Sequence, residues 1–96
     1  MQLTWDERKN QINTQKHGIS FETAVLVFDD AQQVSRHDRT VDGELRWQTI
    51  GMVNGIHLLL VAHTMSVNGD EEIIRIISAR KATPRERRVY AENING

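Results

Sequence analysis

The chain has 96 residues, one proline, no cysteine and a formal net charge of −1. That length suits one domain with one modest core and leaves no room for a separate regulatory unit. The lack of cysteine excludes a disulfide framework and a thiolate metal site, and the near-neutral charge excludes a general attraction for nucleic acid.

The opening, MQLTWDERKN, is charged by Asp6 and lacks the apolar core of a secretion signal. The longest apolar run, Leu58 to Ala62, is far short of a membrane span. Both predict a soluble protein of the cytoplasm. Thr4-Trp5-Asp6-Glu7 is a helix start: Thr4 and Glu7 have capping-box spacing, with Asp6 as a rival N-cap. The helix runs through Asn10 and Ile12 to His17, and Gly18 suits the left-handed residue that ends it. Lys16 and His17 fall in the last turn, where the helix dipole favours positive charge. With few apolar positions, this helix is expected on the surface.

Ser20 opens a second helix. Phe21, Ala24, Val25 and Phe28 follow i, i+3, i+4, i+7 and predict one apolar stripe packed on a sheet, ending at Asp29-Asp30. Gln33 to Arg36 reads as a short edge strand, followed by a charged loop from His37 to Gly43. Arg46–Val53 and Ile56–His63 read as strands joined at Asn54-Gly55, a strong hairpin signal. Thr64 to Asp70 reads as a polar loop, and isoleucine-rich Glu72–Ala79 as a central strand. Thr83, Pro84 and Glu86 mark a helix start as N-cap, first and third helical residues. That helix carries Tyr90 and Ile94 to near the end. The expected architecture is a single α+β domain over residues 1–96. It has two N-terminal helices, an antiparallel sheet of three to four strands and a C-terminal helix.

Charge is unevenly placed. The stretch RIISARKATPRERR, residues 75–88, holds six of the twelve Lys and Arg residues against one acid, Glu86. From Glu22 to Glu72 there are nine acids and three bases, Arg36, Arg39 and Arg46. Regular alternation along the strand puts Arg75, Ile77 and Ala79 on one face and Ile74, Ile76, Ser78 and Arg80 on the other. Lys81 follows the strand; Arg85 and Arg88 are neighbours on the helix, flanked by Arg87. Guanidinium groups gathered at a strand end and a helix start fit phosphate, which arginine grips through paired hydrogen bonds. The competing reading is a solvated basic face, or local pairing with Glu86 and Glu92.

His57 and His63 fall on one face of one strand, roughly 20 Å apart, too far for a shared metal. His17 and His63 are the better acid–base candidates, since histidine changes charge near neutral pH. Trp5 and Trp47 could stack on bases, with packing as the default role.

The stretches WDERKNQINTQKHGISFETAVLVFDD, GELRWQTIGMVNG and RIISARKATPRERRVYAE together resemble the BrnT-family toxins, in order and across nearly the whole chain. Pro84, where the family often has a basic residue, and the polar stretch Met65 to Gly69 depart from the pattern. The resemblance implies a RelE-like α+β ribonuclease of a bacterial type II toxin–antitoxin pair. It further implies RNA cleavage without metal or cofactor, inhibition of translation, and a DNA-binding, BrnA-like antitoxin that carries the complex to operator DNA. A 2:2 toxin–antitoxin assembly is implied in the same way. Combined with the charge cluster, it nominates Arg80 and Lys81 at the scissile phosphate, assisted by Arg75 or Arg87. Arg85 and Arg88 are nominated as further RNA-binding groups. Lys16 or His17 is nominated for proton transfer, with His63 in reserve. The alternative is a module that binds nucleic acid, or acts as a co-repressor, without cutting.

Overall fold

In the computed structural model, which describes residues 1–95, five strands form one mixed sheet in the order β1-β5-β4-β3-β2. They are β1 (Gln2–Trp5), β2 (Val34–Val41), β3 (Glu44–Val53), β4 (His57–Asn68) and β5 (Glu71–Lys81). The helices are α1 (Glu7–His17), α2 (Phe21–Ala24) and α3 (Pro84–Asn95), with a 3-10 helix at Val25–Asp29 directly after α2. None of the described helices is long and apolar enough to cross a membrane.

Several expectations need correction. Gln2–Trp5 is a strand, pairing parallel with Ile73–Ile76, so Thr4 lies in the sheet and Asp6 alone caps α1. Its carboxylate accepts from the amides of Arg8 at 2.8 Å and Lys9 at 3.2 Å. A four-residue strand whose partner lies some seventy positions later leaves no local mark. The expected loop His37–Gly43 is mostly strand: β2 and β3 extend to a turn at Asp42-Gly43, both with positive φ. The expected polar loop from Thr64 is also strand, because β4 and β5 pair through Asn68 and Glu71. Both hairpins reach their turns through mostly polar, exposed residues, with Met65 still packed on the core, so hydrophobic alternation does not betray them.

Other local signals hold. Gly18 ends α1 at φ 72°, and its amide donates to the Thr14 carbonyl. Ser20 caps α2. Asn54-Gly55 turns the β3–β4 hairpin with both residues at positive φ. Thr83 and Glu86 exchange the two bonds of a capping box, at 2.9 and 3.2 Å.

The sheet buries both faces unequally. On one face Val53, Leu59, Val61, Ile74, Ile76 and Ala79 meet Ile19, Phe21, Ala24 and Val27. The buried positions of the second helical segment are 21, 24 and 27, a spacing of three, because the chain tightens to a 3-10 helix after Ala24. Gly51 lets this segment approach: a Cβ there would lie 2.7 Å from Val27 Cβ and 2.9 Å from its carbonyl oxygen. On the other face α3 covers only one end, where Val89 and Tyr90 pack on Ile50, Leu58 and Leu60. Tyr90 also donates to Asp30 at 2.6 Å, and Asp30 accepts the Met52 amide at 2.8 Å.

Helix α1 docks through asparagines. Asn13 donates to the carbonyls of Ile19 and Ala79 and accepts the Ala79 amide. Since β1 stops at Trp5, opposite Ile76, the edge of β5 beyond it would otherwise be unpaired. Asn13 substitutes for the missing strand.

Candidate active site

A bulge in β5 decides which side chains share a face. Ala62 pairs with Ser78 but His63 pairs with Ile76, so Ile77 is an extra residue. Alternation resets across it. Ile74, Ile76 and Ala79 lie on the helix-packed face, while Arg75, Ser78 and Arg80 lie together on the other. The regular alternation expected from sequence separates Arg75 from Arg80; the bulge unites them.

Neighbouring strands complete this face. Ile50 and Leu60, which lie on it, fix the same side for Gln48, Arg46 and Glu44 of β3 and for Ala62 and Thr64 of β4. Arg36 of β2 pairs with Gln48 and donates to its side-chain oxygen at 3.1 Å. A row of Gln48, Ala62 and Ser78 therefore crosses the middle of the exposed face with a small-residue floor. On one side of that row Glu86, from the start of α3, takes two hydrogen bonds from Arg80 at 2.7 and 2.9 Å. It also lies 3.7 Å from Arg36. On the other side Glu44 pairs with Arg75 and lies 3.6 Å from Arg46.

Two carboxylates thus bridge four guanidiniums, leaving the face at +2 (four Arg less two Glu). Arg46 Nε is buried without a hydrogen-bond partner. The Arg80 hydrogen bonds hold Glu86 at about 2, well below the ordinary carboxylate value, and the Thr83 amide adds to this. The same contact raises Arg80. Glu86 is therefore a fixed anion and a poor proton acceptor.

The other nominated residues disperse. Lys81 pairs with Leu59 and lines a cleft on the helix-packed side with Gly18, Thr23 and His57. Lys16 and His17 line a separate groove between α1 and Ile77. Neither cleft includes Arg80. Arg85, Arg87 and Arg88 are exposed on α3. His63 is fully buried: its Nε2 meets Thr49 Oγ1 at 2.6 Å and its ring abuts Phe28 edge-on. Burial pushes it below the usual histidine range. It is enclosed in the core. Trp5 packs edge-on against Phe21, and Trp47 against His37. Arg36, Arg46 and Glu44 do not stand out in the sequence. Their one signal is the alternation Glu44, Arg46, Gln48 running into Ile50, which marks a polar continuation of an apolar face.

The family described as "Ribonuclease toxin, BrnT, of type II toxin-antitoxin system" matches residues 5–86. The structure is similar to the crystal structure of the Brucella abortus ribonuclease toxin, BrnT, at 27% identity and a TM-score of 0.60. That similarity covers 86% of this chain and 97% of the other. No curated protein matches the chain.

Proposed function

The chain belongs to the BrnT family of ribonuclease toxins of type II toxin–antitoxin systems, and from that premise we propose that it cleaves RNA on the open sheet face. The supporting observation is the sharing of two carboxylates among four arginines above the small-residue row. An RNA phosphate neutralises the surplus charge and meets guanidiniums already held in place.

The reaction needs no metal. The ribose 2′-oxygen attacks the adjacent phosphorus, forming a 2′,3′-cyclic phosphate and expelling the 5′-oxygen. Arg75 and Arg80 bind the non-bridging oxygens, whose charge grows in the phosphorane, with Arg36 and Arg46 beside them. Glu44, half-exposed between Arg46 and Arg75, accepts the 2′-hydroxyl proton. The departing oxygen takes its proton from water, which an open face admits. Lys81, Lys16, His17 and His63 lie outside this centre.

The biological reading is RelE-like: cleavage of cytoplasmic RNA inhibits translation. A DNA-binding, BrnA-like antitoxin neutralises the toxin, in an assembly of two copies of each. The test is incubation of purified chain with RNA in EDTA, followed by mapping of the ends. Cyclic phosphate ends are expected, and a folded Arg75→Ala/Arg80→Ala variant should lose cleavage. Undiminished cutting by that variant places the centre elsewhere.

One observation favours binding without cutting. Among the described residues no histidine lies on the arginine face, and Arg36, Arg46, Arg75 and Arg80 each share a carboxylate. RNA retained intact by the wild-type chain, with retention lost in the double variant, identifies a binding module.

A further inference from the structure

We propose that the groove between α1 and the free edge of β5 docks an acidic protein segment carrying an aliphatic or aromatic anchor. The groove encloses about 200 Å³ and is lined by Lys9, Ile12, Lys16, His17 and Ile77. It goes beyond the nuclease reading: of its lining, Ser78 lies on the arginine face and Lys9 also borders a second hollow with Arg75, while Ile12, Lys16, His17 and Ile77 do not.

The fold does not account for this groove's apolar surface. Helix α1 packs through Asn10 and Asn13, both buried, and apart from Ile12 is polar. Ile12 is 55% exposed and belongs to neither buried cluster. Ile77 is the extra residue of the β5 bulge and lies at the edge that β1 leaves open. Together they make an aliphatic floor of the kind that receives one large apolar side chain at the centre of an interface.

The rim has one sign. Lys9, Ile12 and Lys16 follow i, i+3, i+7 along one side of the helix, with His17 beside them. Neither lysine has a salt-bridge partner among the described residues. The acids at the start of this helix are engaged elsewhere: Asp6 caps it, and Glu7 accepts from Trp5 and Asn10. Paired cations around an unfilled apolar floor are complementary to Asp or Glu flanking Leu, Ile or Phe.

An RNA strand is the poorer fit. Single-strand sites stack bases on aromatic side chains or guanidinium planes. Here the floor is aliphatic, the cations are lysines, His17 at the rim is the single aromatic ring in the lining, and neighbouring Trp5 is packed on Phe21.

The test selects short random peptides displayed against the full chain, with Ile12→Glu/Lys16→Glu as the counter-target. Both side chains are exposed, and an unchanged melting temperature checks the variant. If it melts early, Lys16→Glu alone replaces it. Selected peptides should carry Asp or Glu close to Leu, Ile or Phe, and should bind the variant about tenfold or more weakly. Peptides without that pattern, equal binding to both proteins, or no selection at all overturns the proposal. So does a 2′-O-methylated RNA oligomer whose affinity falls with the same substitutions, since the groove would then belong to the RNA path. RNA cleavage is read in parallel and should survive in the variant. Its absence from the wild-type chain counts against the nuclease reading and leaves the peptide result standing.

Discussion

Glu86 receives both terminal nitrogens of Arg80, at 2.7 and 2.9 Å, while its own backbone amide completes the cap of α3 on Thr83. One carboxylate therefore ties the last helix to the sheet and restrains an arginine of the candidate site. It is also the side chain whose protonation would release both.

The acid limb of stability should carry its signature. Glu86 sits at about 2 in the folded chain, below the ordinary 4.5. A lowered value means that the unfolded chain takes up this proton first as pH falls. The stabilisation is complete above about 4.5 and disappears towards about 2; with the solvent around Arg80 allowed for, it amounts to about 2 kcal/mol. Glu86→Gln should lose that much in urea unfolding at neutral pH and flatten the acid limb. Parallel pH profiles for the two proteins would remove Glu86 from this role.

Salt dependence should identify the arginines that meet phosphate. Removing one cation that neutralises a phosphate of single-stranded RNA lowers the slope of log affinity against log salt by about 0.7. Arg46→Ala and Arg75→Ala should each show this decrease with an uncleavable RNA, while Arg88→Ala on α3 should not. Glu86→Gln, which raises the face from +2 to +3, should steepen the slope. Equal slopes for Arg75→Ala and wild type would take Arg75 out of the RNA interface.

His63 should affect stability and leave chemistry untouched. Burial lowers its proton affinity in the fold, against smaller opposing effects of the Thr64 carbonyl and of Glu72. The unfolded histidine protonates near 6.5, so the native state loses stability as pH falls below that value until the buried ring also titrates. His63→Gln should erase this loss, cost about 1–2 kcal/mol at neutral pH, and cut RNA normally. Abolished cutting by a folded His63→Gln chain would give His63 a part in catalysis.

Asn13 should be worth more than its polarity suggests. Asn13→Leu would strand the Ala79 amide and carbonyl and the Ile19 carbonyl, costing about 3 kcal/mol. Hydrogen exchange at the Ala79 amide should accelerate more than exchange elsewhere in β5. Uniform acceleration would show ordinary global destabilisation instead.

Local punctuation is readable because its partners lie within a few positions. Gly18, Ser20, Asn54-Gly55 and the Thr83–Glu86 box each act on neighbouring backbone. The strand β1 is not readable, since its signal is a row of bonds to Ile73–Ile76. The extended hairpins are hidden because most of their outer residues are polar and exposed. For the candidate site, the charge cluster points to Arg75 and Arg80 but not to their common face, and it leaves out Arg36, Arg46 and Glu44.

By itself the sequence determined the end of α1, the starts of α2 and α3, the central hairpin, the isoleucine-rich strand and the family, because each depends on residue types at short, fixed spacing. Only the tertiary structure decided which charges act together. One extra residue at Ile77 inverts the alternation of β5, and two carboxylates from distant segments, Glu44 and Glu86, set how much of the arginine charge stays free. Both depend on strand register and on pairings thirty-one residues apart (Glu44 to Arg75) or across a helix start, which no spacing rule along the chain encodes.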